Sequence, residues 1–179
     1  MAETSAGPQV PAVDPKNLIE TALSVIKNPT EFFKGIKGET GFQKPLTFSV
    51  AMGVVSGIIS AIAILLWAGI HGAVGIAIAG AVMALISGVI GGILAPFIGG
   101  VIIWVISMIF GSKAQWQASV PIAAYSYAIG PIAALSGFIP LLGIIVSLAA
   151  WIYGIYICVM GAKVINFEAP PAPAAPPQA

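Results

Sequence analysis

Between residues 45 and 162 the chain carries a single charged side chain, Lys113. A charge at the centre of a bilayer costs at least ~2.5–3.5 kcal/mol, and a spanning helix needs roughly 20 apolar residues. Two long charge-free stretches separated by one lysine therefore require an all-α, polytopic transmembrane helical bundle. Composition agrees: 7% of residues are charged, against about 25% in soluble domains, so water cannot be the solvent for most of the surface.

The lysines set the expected orientation. Lys16, Lys27, Lys34, Lys37 and Lys44 all precede the first apolar segment, and there is no arginine. By the positive-inside rule the N-terminus is expected to be cytoplasmic. Residues 1–45 hold no uninterrupted apolar core of the kind a cleavable signal needs, so the first span is expected to act as the insertion signal. Cys158 is the only cysteine, which excludes an intramolecular disulfide and a multi-thiolate metal site.

Four regions follow from the pattern. Residues 1–13 and 166–179 read as Ala/Pro-rich disordered tails, since neither can bury enough apolar area to offset ordering entropy. Residues 14–44 read as an amphipathic membrane-surface region. Asp14-Pro15 starts a helix whose apolar positions include Leu18, Ala22 and Val25, and Asn28-Pro29 ends it. Thr30 is expected to cap a second short helix that lays Phe32, Phe33 and Ile36 on lipid while Lys34 and Lys37, with Lys27 and Lys44, reach for headgroups. The alternative for this region is a cytoplasmic cap packed on the bundle. Residues 45–165 form the transmembrane domain.

Within that domain, 46–69 is a simple span ending near Trp67, followed by a tight connection that contains His71. Residues 73–110 are too long for one ordinary crossing: a straight helix would run about 57 Å against about 30 Å of hydrocarbon. Either the segment bends and projects, or it folds back at Gly91, Gly92, Pro96, Gly99 and Gly100. Four crossings place Lys113 and Lys163 beside the N-terminal lysines and satisfy the positive-inside rule better; five place them outside. The last two spans are 118–135 and 141–161.

Chemistry is sparse. No carboxylate lies between Glu39 and Glu168, so paired-carboxylate catalysis and carboxylate metal sites have no material inside the membrane, and one histidine cannot complete a hydrolytic triad. An enzyme is not expected, nor a cofactor, nor a nucleic-acid partner. His71 would suit a pH sensor on the outer face or simply face water in its connection.

Two motif groups remain. Small residues at four-residue spacing, Gly53/Gly57, Gly80/Ala84/Gly88/Gly92 and Ala150/Gly154/Cys158, draw stripes on which another helix can sit closely, within the bundle or in a homodimer. Tyr125, Ser126, Tyr127 and Pro131 form a polar intramembrane cluster. Its hydroxyls need partners in lipid, and its proline frees a carbonyl one turn earlier, so it is either glue at a kink or the lining of a ligand or water path.

The ordered features resemble the Yip1 domain family. They are a Pro-x-x-Phe-Phe element (Pro29, Phe32, Phe33), a Pro-Leu entry (Pro45, Leu46), a Gly turn (Gly111, Ser112, Lys113), a Tyr-Ala-x-x-Pro element (Tyr127, Ala128, Pro131) and a last span bearing Tyr153 and Tyr156. The resemblance covers roughly residues 25–165. It implies a helical integral membrane protein, commonly of five spans, with a cytoplasmic N-terminus. Its eukaryotic members act in vesicle traffic and bind prenylated small GTPases. The short pre-membrane region and the Lys-Pro-Leu entry point to a prokaryotic member in the cytoplasmic (inner) membrane.

The expected function is a non-enzymatic membrane scaffold or adaptor that organises partner proteins or lipids. Its partners would be the bilayer itself and a membrane protein or a second copy, with a small GTPase only by eukaryotic analogy. The alternative is a small transporter or channel built around a broken helix at residues 91–100.

Overall fold

The computed structural model describes residues 17–38 and 41–168. The expectations for residues 1–13, for the Asp14-Pro15 start and for 169–179 lie outside the described residues. The short helices α1 (Leu18–Lys27) and α2 (Pro29–Gly35) precede two long ones, α3 (Gln43–Ile70) and α4 (Val74–Ile109). A third span follows as α5 (Trp116–Ser126), a 3₁₀ turn (Tyr127–Ile129), α6 (Gly130–Leu135) and a second 3₁₀ turn (Ser136–Phe138). The chain ends in α7 (Pro140–Ala162), which continues as a π turn over Lys163–Phe167. Among the described residues, 4 helical segments are long and apolar enough to cross a membrane, which makes this an integral, multi-pass protein.

Residues 73–110 do not fold back. They form one helix of 36 residues with Pro96 inside it, so the hairpin reading and the broken helix at 91–100 both give way to a continuous α4. The reason is that the liberated carbonyl is satisfied. Pro96 has no N–H for the Gly92 carbonyl four residues earlier. Instead, the Ser49 hydroxyl of α3 donates to that oxygen at 2.7 Å, and the Tyr127 hydroxyl donates to the neighbouring Gly91 carbonyl at 2.9 Å. In a medium without water such substitutes are required wherever a ladder bond is lost.

α3 and α4 run antiparallel through the turn at Gly72, whose φ of +70° suits a residue without Cβ. Their seam is the small-residue stripe. The Gly53 and Gly88 backbones lie against each other, a Cβ at Gly57 would stand 2.9 Å from the Ala84 carbonyl oxygen, and one at Gly92 would stand 2.7 Å from the Val50 Cα. These stripes therefore serve packing inside the chain. Gly154 does not: the nearest neighbour of a Cβ there is an Ile129 methyl at 3.7 Å, an ordinary contact.

The third span is central, packing against α3, α4 and α7, and its α5 part and the following 3₁₀ turn also meet α1. It is the most enclosed of the spanning segments, whereas α4 and α7 expose long apolar flanks, from Ile86 and Ile98 to Ile145 and Ile152. Those flanks face lipid, which is why their outward positions are as apolar as their inward ones.

Replacing Gly53 or Gly88 by Leu should cost upwards of ~3 kcal/mol, because the clash is with backbone and no rotamer relieves it. Gly154→Ala should be nearly neutral. Thermal unfolding in detergent micelles compares the three directly.

Candidate functional site: the capped end and the lateral cleft

The N-terminal region is a cap on the bundle. Phe32, Phe33 and Ile36, expected against lipid, are buried in protein, and Phe33 is 0% exposed. Phe32 packs edge-on to Tyr125 with ring centroids 4.8 Å apart, and Phe48 of α3 meets the same ring at 5.1 Å. Phe33 sits on Gly161 of α7, where a Cβ would stand 2.8 Å from the ring. The physical reason for the correction is competition. A pre-shaped groove between α3, α5 and α7 offers these rings close-packed partners, whereas lipid offers only fluid contact. Val25 joins the same core, while Ile19 and Leu23 of α1 stay exposed.

The sequence at the junction explains how the cap is held. α1 stops at Lys27 and α2 begins at Pro29 itself, one residue before the expected Thr30 cap, because proline fits the first helical position. The Ile26 carbonyl at the end of α1 accepts a hydrogen bond from the Tyr153 hydroxyl of α7. Lys37 is also engaged with the bundle. Its ammonium donates to the Glu168 carbonyl at 3.1 Å and lies 3.7 Å from the Glu168 carboxylate, so it is not turned to headgroups as expected. Lys34 is exposed and pairs with Glu31 at 3.0 Å; that hydrogen bond, aided by the carboxylate's charge, raises the lysine's pKa. Lys27 and Lys44 are exposed.

At the same end a buried amide ties three spans together, and the sequence alone did not single it out. Asn166 donates through Nδ2 to Ser107 of α4 at 2.9 Å and to Ser119 of α5 at 3.0 Å, while the Ser112 hydroxyl donates to the Asn166 carbonyl at 2.7 Å. Its Oδ1 has no partner. The span boundary thus moves from 165 to Phe167, because the π turn carries Asn166 inward and not into a tail. The available signal was that serines occupy 107 and 119 inside apolar runs, where a hydroxyl needs a partner. Gly111 (φ +87°) ends α4, letting the Ser112 N–H return to the Ser107 carbonyl at 2.9 Å.

The polar cluster in the third span is divided among separate tasks. Tyr125 is a core ring, Ser126 donates to the Ala123 carbonyl at 2.7 Å, and Tyr127 reaches α4. The Tyr127 carbonyl, deprived of a donor by Pro131, is taken by the Gly130 N–H through the tighter 3₁₀ turn. Together these are the glue of a kinked span. At the opposite end of the bundle the His71 ring stacks on Trp67 and its Nδ1 lies 2.7 Å from the Trp67 carbonyl.

One feature remains open. α4 and α7 make little direct contact, and between them lies a cleft of 770 Å³ floored by the third span. Ala133, Ala150, Gly154 and Ala162 line it with little bulk, and Ser107, Ser126, Tyr127 and Cys158 give it a few polar atoms.

The residues that lock this architecture are those of the ordered motif set: Phe32 and Phe33 anchor the cap, Gly111 and Ser112 close α4 on the π turn, Tyr127 braces Pro96, and Tyr153 holds α1. The Yip1 domain model matches residues 23–175. The chain belongs to the Yip1 domain family. No curated protein and no solved structure gives a significant match. The Yip1 match begins inside α1, so the family's extent includes most of the cap as well as all the spans.

Phe33→Ala should destabilise the cap by about 3 kcal/mol, the lower range for emptying a buried aromatic site. Hydrogen exchange in micelles should then show α1 and α2 amides exchanging much faster while the α3–α4 seam stays protected. Ser49→Ala should cost ~0.6–1.7 kcal/mol, from the average to the maximum found for interhelical hydrogen bonds by double-mutant cycles in a membrane protein.

Proposed function

We propose that this Yip1 domain protein is a non-enzymatic membrane scaffold or adaptor, presenting a fixed charged face at one end of its bundle to partner proteins. The observation that carries the reading is the docked cap. Glu20, Lys27, Glu31 and Lys34 lie exposed on helices whose other faces are held by Phe32, Phe33 and Tyr153. A rigid surface of mixed charge costs little entropy on binding, as an adaptor requires. The starts of α3 and α5 and the ends of α4 and α7 share the end that carries Lys44, Lys113 and Lys163, and the positive-inside rule makes it cytoplasmic. The protein would then sit in a prokaryotic inner membrane with both described chain ends on the cytoplasmic side. Its partners are membrane proteins or a second copy, with anionic lipid beneath the exposed Lys27 and Lys44 adding up to ~1 kcal/mol per lysine.

Photo-crosslinking in intact cells tests this. A photoreactive residue at Lys27 or Lys34 should give protein adducts of discrete mass, and one at Ile86 or Ile98 on the lipid-facing flank of α4 should give none. Absence of protein adducts from the cap positions would sink the adaptor reading. Orientation is checked separately in a Cys158→Ser background: His71→Cys should label from outside and Lys113→Cys only after permeabilisation.

A further inference from the structure

We propose that the cleft between α4 and α7 is a binding site for one anionic phospholipid, its acyl chain lying in the cleft and its headgroup held at the Lys113/Lys163 end. This goes beyond the adaptor reading and does not depend on it.

The length and lining of the cleft point to the occupant. Along α7 it runs from Ser147 to Ala162, a rise of ~22 Å. An elongated apolar trough of this kind takes extended hydrocarbon, which can follow its length without moving α4 or α7. The cleft is flanked on both sides by lipid-facing helix surfaces such as Ile102 and Trp151, so its mouth opens to the bilayer. Its walls are overwhelmingly apolar, and a void left between them would forfeit dispersion contacts along its whole length.

The small residues support the same occupant. Gly154 is not required for any close approach within the chain, in contrast to the glycines of the α3–α4 seam. Its lack of a side chain serves only to keep the cleft clear. The headgroup end follows from the Ser112 to Asn166 hydrogen bond, which joins the loop bearing Lys113 to the turn bearing Lys163 just where the cleft ends at Ser107 and Ala162. Both lysines are exposed there. Lys163 directly follows the last residue of the slot on α7, and Lys113 sits on the loop tied to the same turn, so this end can offer positive charge to a phosphate on an acyl chain.

The test uses the full chain, delipidated in detergent and titrated with phosphatidylglycerol or with phosphatidylcholine of the same acyl chains, read by native mass spectrometry. One phosphatidylglycerol per chain should be retained in preference to phosphatidylcholine. Gly154→Leu should abolish retention, and Lys113→Gln with Lys163→Gln should weaken phosphatidylglycerol about tenfold, to the level of phosphatidylcholine. A second readout needs no variant: Cys158 lines the cleft, so phosphatidylglycerol should slow its alkylation by a small maleimide in the wild-type protein. Retention unaffected by Gly154→Leu, or alkylation unaffected by lipid, overturns the site. An undiminished phosphatidylglycerol preference in the lysine variant overturns the headgroup placement. A lipid-free dimer in the mass spectrum overturns the proposal in favour of a second copy.

Discussion

Lipid tails are as apolar as leucine, so no solvent force presses α3 onto α4; their contact rests on backbone meeting backbone at Gly53, Gly57, Gly88 and Gly92. That approach is also what lets Ser49 reach the carbonyl left free by Pro96. Without the glycines the helices would stand further apart, and the Gly92 oxygen would lose the partner that compensates for Pro96 within the 36-residue helix. The continuity of α4 in turn returns the chain to the lysine-bearing end, where the loop at Ser112 meets Asn166 and the cap docks.

The cap shows how a membrane protein can acquire a core of soluble type. Phe32, Phe33, Phe48 and Tyr125 interlock with Ile122, Ile157 and Val164 at one end of the bundle, so the best-buried large side chains lie there and not midway along the lipid-facing helices. Interiors packed at such density have low compressibility. The cap's charged face is thus carried on helices whose inner faces are packed against the spans.

The alternative of a transporter built on a broken helix loses its structural basis at residues 91–100. The carbonyls of Gly91 and Gly92 are turned to hydroxyls of neighbouring helices and not to a cavity. The open volume lies elsewhere, between α4 and α7, and it is lined mainly by hydrocarbon, which favours a lipid over an ion or polar solute.

The class was legible in the sequence, and the spans were narrowed to four or five, because exclusion of charge from hydrocarbon is a local rule, felt residue by residue; the continuity of α4 decided for four. The small-residue stripes and the strained points at Pro96 and Pro131 were legible for the same reason. Which partner met each of them was not. An amphipathic segment with phenylalanines on one face has the same pattern whether it lies on lipid or in a groove, and only the groove offered by α3, α5 and α7 decided for Phe32 and Phe33. Asn166 read as a polar residue beyond a span until Ser107 and Ser119, far away in sequence, were brought to its side. The sequence by itself determined that this chain lives in a membrane and which stretches are apolar enough to cross it. Tertiary structure alone decided which apolar faces meet protein and which meet lipid, because in a bilayer both environments have nearly the same polarity and only shape tells them apart.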